Sequence, residues 1–334
     1  MRWLVTGGLG FIGSNFIRVV LHERPALEIV NLDAMTYAGN PANLRDIETD
    51  PRYRFVKGDI GDPDAVREAV GDGVDAIVNF AAETHVDRSI LDPAAFLRTD
   101  ILGTHVLLET VRERQIPRFL QVSTDEVYGD VDEGESLEAD PLCPRSPYSA
   151  SKAGGDLQVL AYWTTFQTPV LITRGSNTYG PYQYPEKLIP LFISNLIDDE
   201  SVPVYGDGLQ IRDWLHVEDH ARGILHVLER GELGDVYNLG GGNPRTNLEI
   251  SKVLMDGCGR SMQTHAKHVK DRAGHDRRYA IDTAKARALG WAPRIPFDGG
   301  LQATIDWYKA NESWWRPLKS GEFLAYYKRQ YAQR

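Results

Sequence analysis

Three side chains able to exchange protons or hydrogen bonds stand in a row at Thr124-Asp125-Glu126, directly after an apolar run through Phe119, Leu120 and Val122. The run reads as a strand, and its carboxyl end is where open α/β sheets bind ligands. Tyr148 and Lys152 follow, four residues apart and therefore on one face of a helix. A cation beside a phenol favours the phenolate, so the spacing predicts a lowered tyrosine pKa and a usable base. Ser146-Pro147 reads as an N-cap and first helical position, which puts Tyr148 in the first turn and Lys152 one turn on. Together the two stretches predict one acid–base site.

Such a site needs a scaffold, and the opening residues read as strand, glycine turn, helix, strand. Trp3-Leu4-Val5 is apolar, and Phe11, Ile12, Phe16, Val19 and Val20 then recur with helical spacing. The glycines between fit both Gly8-x-Gly10-x-x-Gly13 and Gly7-x-x-Gly10-x-x-Gly13. Small residues there let backbone approach a pyrophosphate at a helix N-terminus, so Gly7, Gly10, Phe11, Ile12 and Gly13 are candidate cofactor contacts. Asp33 lies 20 residues beyond Gly13, where a carboxylate accepts from ribose hydroxyls. It would repel a 2′-phosphate, which favours NAD over NADP.

The alternation continues through strands at 53–56, 76–80, 119–123 and 169–173, with Leu107, Leu108 and Val111 marking a helix. Asp59-Ile60 follows the third strand; Asp59 either reaches an adenine amino group or caps the helix ahead of Pro63. Ala81 and Ala82 leave room for a cofactor or pack on a helix. His85 reads as structural, since no His or Cys sits at metal spacing, and no metal site is expected. Sequential βα units predict a doubly wound parallel Rossmann sheet with right-handed crossovers. The expected division is residues 1–174 for dinucleotide binding, with return segments within 214–240, and 175–334 as mainly a smaller C-terminal lobe.

The 334 residues are 42% hydrophobic and 25% charged, a soluble globular composition. A formal net charge of −10 argues against a general nucleic-acid binder. Two cysteines are too few for a disulfide framework, the start does not read as a signal peptide, and no apolar run spans a membrane. These features fit a cytoplasmic protein.

The glycine turn, Asp33 and Tyr148-x-x-x-Lys152 resemble the extended short-chain dehydrogenase/reductases that act on nucleotide sugars. More narrowly, Ser123-Thr124-Asp125-Glu126-Val127-Tyr128-Gly129 resembles the motif of the dTDP-glucose 4,6-dehydratase family. Similar blocks are His85-Val86-Asp87-Arg88-Ser89, Tyr182 to Pro190, Arg212 to His220 and Gly274 to Tyr279. The likeness runs from residue 1 to about 317. It implies that Tyr148, assisted by Lys152, takes the C4 hydroxyl proton while hydride passes to NAD. Glu126 then removes the C5 proton, Asp125 in its acid form protonates the departing C6 hydroxyl, and Thr124 orients the sugar.

It also implies substrate contacts from Ser89, Asn177, Lys187, Leu188, Arg212, Asn247, Arg272 and His275, with Pro203 and Tyr205 at the base. Asp87 and Arg88 receive no role. Homodimers pairing through helices at 102–114 and 147–166 are implied as well. Two departures, Thr178 and Asn243-Pro244, stand where the family has Asn and Asn-Glu. The alternatives are a 4-epimerase of the same superfamily, which has no use for adjacent carboxylates, and a 4,6-dehydratase for another nucleotide sugar.

Overall fold

Short apolar runs, most of them ended by a polar or glycine turn, become the strands of the computed structural model, which describes residues 1–331. They are β1 (Arg2–Thr6), β2 (Glu28–Asp33), β3 (Tyr53–Lys57), β4 (Ala76–Asn79), β5 (Phe119–Thr124) and β6 (Val170–Gly175). Then come β7 (Asn177–Tyr179), β8 (Val202–Tyr205), β9 (Ile211–His216), β10 (Val236–Leu239), β11 (Pro244–Thr246) and β12 (Ala266–Val269). Seven of them form one sheet in the order β10-β6-β5-β4-β1-β2-β3, every pairing parallel.

A parallel sheet must be covered on both faces, and alternate strand residues divide accordingly. Trp3, Val5, Ile29, Val78, Leu120 and Leu171 pack on one side against the helices Phe11–Glu23 and Val217–Arg230. Leu4, Val30, Ile77, Phe119, Val170 and Ile172 pack on the other. There they meet the helices Pro63–Val70, Thr104–Arg114 and Pro147–Phe166. The chain winds outward from β1 to β3, then returns with β4 on the other side of β1. The carboxyl ends of β1 and β4 thus bound a crevice at the reversal of strand order. Late in the chain β10 returns to pair with β6, Val236 opposite Ile172.

The smaller lobe holds a three-stranded sheet, β11-β9-β7, and the pair β12-β8. Its core includes Ile193, Leu196, Trp214, Leu254, Ile305 and Trp315. The three- and four-residue strands β7, β11 and β12 have no alternation long enough to read, and the sequence did not predict them. Both cysteines are free. Among the described residues no helix is long and apolar enough to cross a membrane, and no cluster of His, Cys, Asp or Glu is placed to hold a metal ion.

Candidate active site

After β1 the chain turns where there is no room for side chains. Gly7 has φ +67, and a Cβ there would lie 2.6 Å from the Ala81 nitrogen. A Cβ on Gly13 would lie 2.5 Å from the Gly7 carbonyl oxygen. The helix that follows starts at Gly10 without a side-chain cap, so its first-turn N–H groups remain available to an anion. They face a cavity of about 260 Å³. Its wall brings together Gly7, Gly10, Phe11, Ile12, Gly13, Asp33, Asp59, Ile60, Ala81, Ala82, Tyr148 and Lys152, which are all of the expected cofactor contacts. Gly8 is packed against the Asn31 side chain instead, so Gly7-x-x-Gly10-x-x-Gly13 is the pattern that faces the cavity.

Asp33 accepts from the N–H groups of Leu9 (2.9 Å) and Met35 (2.8 Å), and burial raises its pKa. Asp59 accepts from Gly61 N–H at 2.7 Å. It is not the cap of the next helix. Asp62, immediately before Pro63, accepts from Asp64 N–H at 2.9 Å and fills that place.

Thr124 closes β5 and caps a 3-10 turn over Asp125–Tyr128. Its hydroxyl accepts from Glu126 N–H at 3.2 Å and donates to Asp125 Oδ1 at 3.1 Å. Asp125 is 3% exposed; burial and the adjacent Glu126 push its pKa up to about 8, against the pull of Arg212 and Thr124. It therefore keeps its proton at neutral pH and can donate it. Burial also raises Glu126, against the pull of Arg272, Arg212 and Lys187.

Tyr148 hydrogen-bonds to Thr124, while burial and the carboxylates Glu126, Asp100 and Asp125 raise its phenol well above the usual range. The expected lowering of this pKa is thus corrected: burial and the neighbouring carboxylates raise it. Lys152 Nζ donates to the Val122 carbonyl at 2.8 Å. Asp100, which the sequence reading missed, is 1% exposed and accepts from Glu83 N–H (3.1 Å) and Ser151 Oγ (2.6 Å). It comes from a segment far from either motif, so no local spacing could have marked it.

A second cavity of about 170 Å³ opens beside the first. Its wall contains Asn177, Lys187, Leu188, Pro203, Tyr205, Arg212, Asn247, Arg272 and His275, with Glu126 among them. Thr124 and Asp125 line neither cavity. Ser89 is a correction: it lines neither cavity, is fully buried, and donates to the Val86 carbonyl at 2.6 Å.

Arg212 donates to the carbonyls of Ile211 (2.7 Å) and Asp276 (2.9 Å) and lies over the Tyr279 ring. Arg272 Nε and Asn177 Oδ1 are buried without a hydrogen-bond partner, one donor and one acceptor left for a ligand. His275 bonds Asp271 at 2.6 Å, yet burial, Arg272 and Arg212 hold its pKa down to about 4. Lys187 is lowered by burial. Planar guanidinium donors in such a wall suit a diphosphate.

His85 and Thr178 also line this cavity, Thr178 hydrogen-bonding His220 at 2.8 Å. Gln183, Glu186 and Lys187 line both cavities. Glu186, not singled out from sequence, accepts from Arg88 Nε at 2.8 Å and from the Tyr37 hydroxyl at 3.0 Å. Arg88 thereby gains an anchoring contact.

A helix-borne tyrosine–lysine pair beside a dinucleotide cavity defines a short-chain dehydrogenase/reductase, and the adjoining cation-lined cavity places it in the extended branch. The GDP-mannose 4,6 dehydratase family model matches residues 4–304, and the chain belongs to that family. The dTDP-glucose 4,6-dehydratase of Streptomyces niveus is 51% identical over 96% of this chain and 96% of its own. The dTDP-glucose 4,6-dehydratase DesIV of Streptomyces venezuelae, solved with NAD bound, is 50% identical with a TM-score of 0.93, covering 96% of this chain and 100% of that one. The UDP-glucose 4-epimerase of Thermus thermophilus, solved with NAD, is 28% identical with a TM-score of 0.86, covering 93% of this chain and 100% of that one.

Proposed function

We propose that this chain is an NAD-dependent dTDP-glucose 4,6-dehydratase, forming dTDP-4-keto-6-deoxyglucose. One observation carries the reading: two adjacent carboxyls at the end of β5, Asp125 buried and Glu126 in the wall of the second cavity, with burial and Glu126 pushing the Asp125 pKa up to about 8. Epimerisation at C4 needs no such acid. The first cavity fits NAD, with Asp33 at the ribose and the glycine turn at the pyrophosphate. The chemistry NAD would supply there is that of a hydride acceptor from C4 and a hydride donor to C6.

The chain's own groups manage the protons. Tyr148, held by Thr124 and assisted by Lys152, accepts the C4 hydroxyl proton; it must do so as phenolate, a form that burial and the neighbouring carboxylates oppose in the structure and that the Lys152 ammonium favours. The C4 ketone acidifies C5–H, and Glu126 takes that proton. Asp125 gives its proton to the leaving C6 oxygen, so that water departs. C5 is then reprotonated, leaving the sugar short of one water in total. Arg212, Arg272, Asn177 and Lys187 hold the diphosphate, and Pro203 and Tyr205 the base.

Residues 1–174 with returns in 214–240 would serve the cofactor, and 175–334 mainly the nucleotide sugar. A cytoplasmic homodimer is part of the proposal; exposed Leu102, just ahead of the helix Thr104–Arg114, and exposed Leu157 and Phe166 on the helix Pro147–Phe166 support it.

The test is incubation of purified protein with dTDP-glucose, UDP-glucose and GDP-mannose separately, with products read by mass. Loss of one water with dTDP-glucose alone is expected. The same loss with another nucleotide would move the error to the base pocket. A C4 epimer with C6 oxygen retained would refute the dehydratase reading.

A further inference from the structure

Behind the carboxylate turn lies a buried charged group that neither cavity uses. Tyr148, Lys152 and Asp156 stand at four-residue steps on the helix Pro147–Phe166. Asp156 is fully buried, and its Oδ2 accepts from Arg174 Nε at 2.9 Å. Arg174, 1% exposed, lies on β6 opposite Ser123 of β5 and Asn238 of β10, one row at the sheet's carboxyl edge. Its Nη1 donates to the Tyr128 hydroxyl at 2.8 Å, and that hydroxyl donates to Asn238 Oδ1 at 2.8 Å. Tyr128 is the last residue of the turn that begins with Asp125 and Glu126.

We infer that Tyr128, Arg174 and Asp156 form a clamp that fixes the carboxylate-bearing turn to the tyrosine-bearing helix, positioning Asp125 and Glu126 for elimination. The inference rests on the dehydratase reading above. None of the three residues lines either cavity, so they are positioning residues and touch no ligand. A buried ion pair adds little net stability over apolar groups of the same volume. What it adds here is direction: a planar fork that meets Asp156 with one edge and Tyr128 with another.

The two halves of the site depend on the clamp unequally. The helix has its own anchors, the reciprocal capping box of Ser146 and Ser149 and the bond from Lys152 to the Val122 carbonyl. The turn is four residues long, held by Thr124 at one end, by the Cys143 N–H on the Val127 carbonyl at 3.0 Å in its middle, and by Tyr128 at the other end. Loosening the clamp therefore displaces the acid–base pair more than it displaces Tyr148. A displacement of about 1 Å costs roughly a hundredfold in rate.

Tyr128→Phe keeps the ring and the Arg174–Asp156 pair and removes only the hydroxyl. Dehydration should fall about 10- to 100-fold in kcat at nearly unchanged KM. C4 oxidation should persist, so that reduced nicotinamide accumulates on the enzyme and is seen by its near-ultraviolet absorbance. Arg174→Lys, which keeps the charge but not the fork, should do the same. Unchanged turnover, or an equal fall in oxidation and elimination with no accumulation, would overturn the clamp. Should Tyr128→Phe fail to fold, Asn238→Ser removes the acceptor of the same hydroxyl and is scored by the same ratio. If the unsubstituted enzyme releases no water from dTDP-glucose, the dehydratase reading falls and the clamp with it, which separates the two failures.

Discussion

Replacing Asp125 by Asn separates what this residue does for the reaction from what it costs the fold. A carboxyl with a pKa of about 8 is roughly nine-tenths protonated at pH 7, so the native enzyme carries its acid ready. Asparagine keeps the shape and a weak donor but has no proton to give, and kcat should fall about 10²- to 10⁴-fold. Stability should move the other way. The folded pKa lies above the unfolded one, so the contribution is fully present below about pH 4 and is lost as pH rises through 8. From pH 7 to pH 9 the native protein should lose about 1 kcal/mol relative to the Asn variant, which has nothing to ionise there. The assay is a pair of urea titrations at the two pH values beside a kcat–pH profile. A stability gap that does not widen, or an Asn variant keeping more than a tenth of native kcat, would refute the reasoning.

Two further outcomes test the cavities. Arg272→Ala should weaken dTDP binding by about 10- to 100-fold, as loss of a charge-assisted bond from a guanidinium whose Nε is buried and unpaired, while calorimetry finds NAD affinity unchanged. Gly13→Ala should lower dinucleotide affinity at least about tenfold and cost about 1–3 kcal/mol, because its Cβ meets backbone at 2.5 Å; thermal melts with and without NAD read both.

The parts of the site readable from sequence are those encoded locally. The glycine turn, Asp33 and Tyr148-x-x-x-Lys152 each sit within one βα unit, where periodicity and spacing state the geometry directly. Asp100 and Glu186 reach the site through tertiary folding, and nothing in their own neighbourhoods distinguishes them from surface acids. The direction of the Tyr148 shift failed for the same reason, since Asp100, 48 residues earlier, is among the carboxylates that raise it. Asp59 and Asp62 show a finer limit: both precede Pro63, and only backbone conformation decides which one caps. The strands β7, β11 and β12 are too short to carry a period, whereas β10 could be read as an apolar run but not placed at the sheet edge.

Gln183, Glu186 and Lys187 face both cavities, so the two ligand spaces share a single wall. A ligand that orders this wall from one side sets the conformation met by a ligand arriving on the other. By thermodynamic linkage the influence is reciprocal: whatever factor dinucleotide occupancy applies to nucleotide-sugar affinity, the nucleotide sugar applies in return. For a reaction that ends with the dinucleotide in its starting oxidation state, such reciprocity lets one partner stay seated through many turnovers while the other exchanges. The apparent affinity for sugar nucleotide is then a property of the loaded protein, distinct from that of the bare chain.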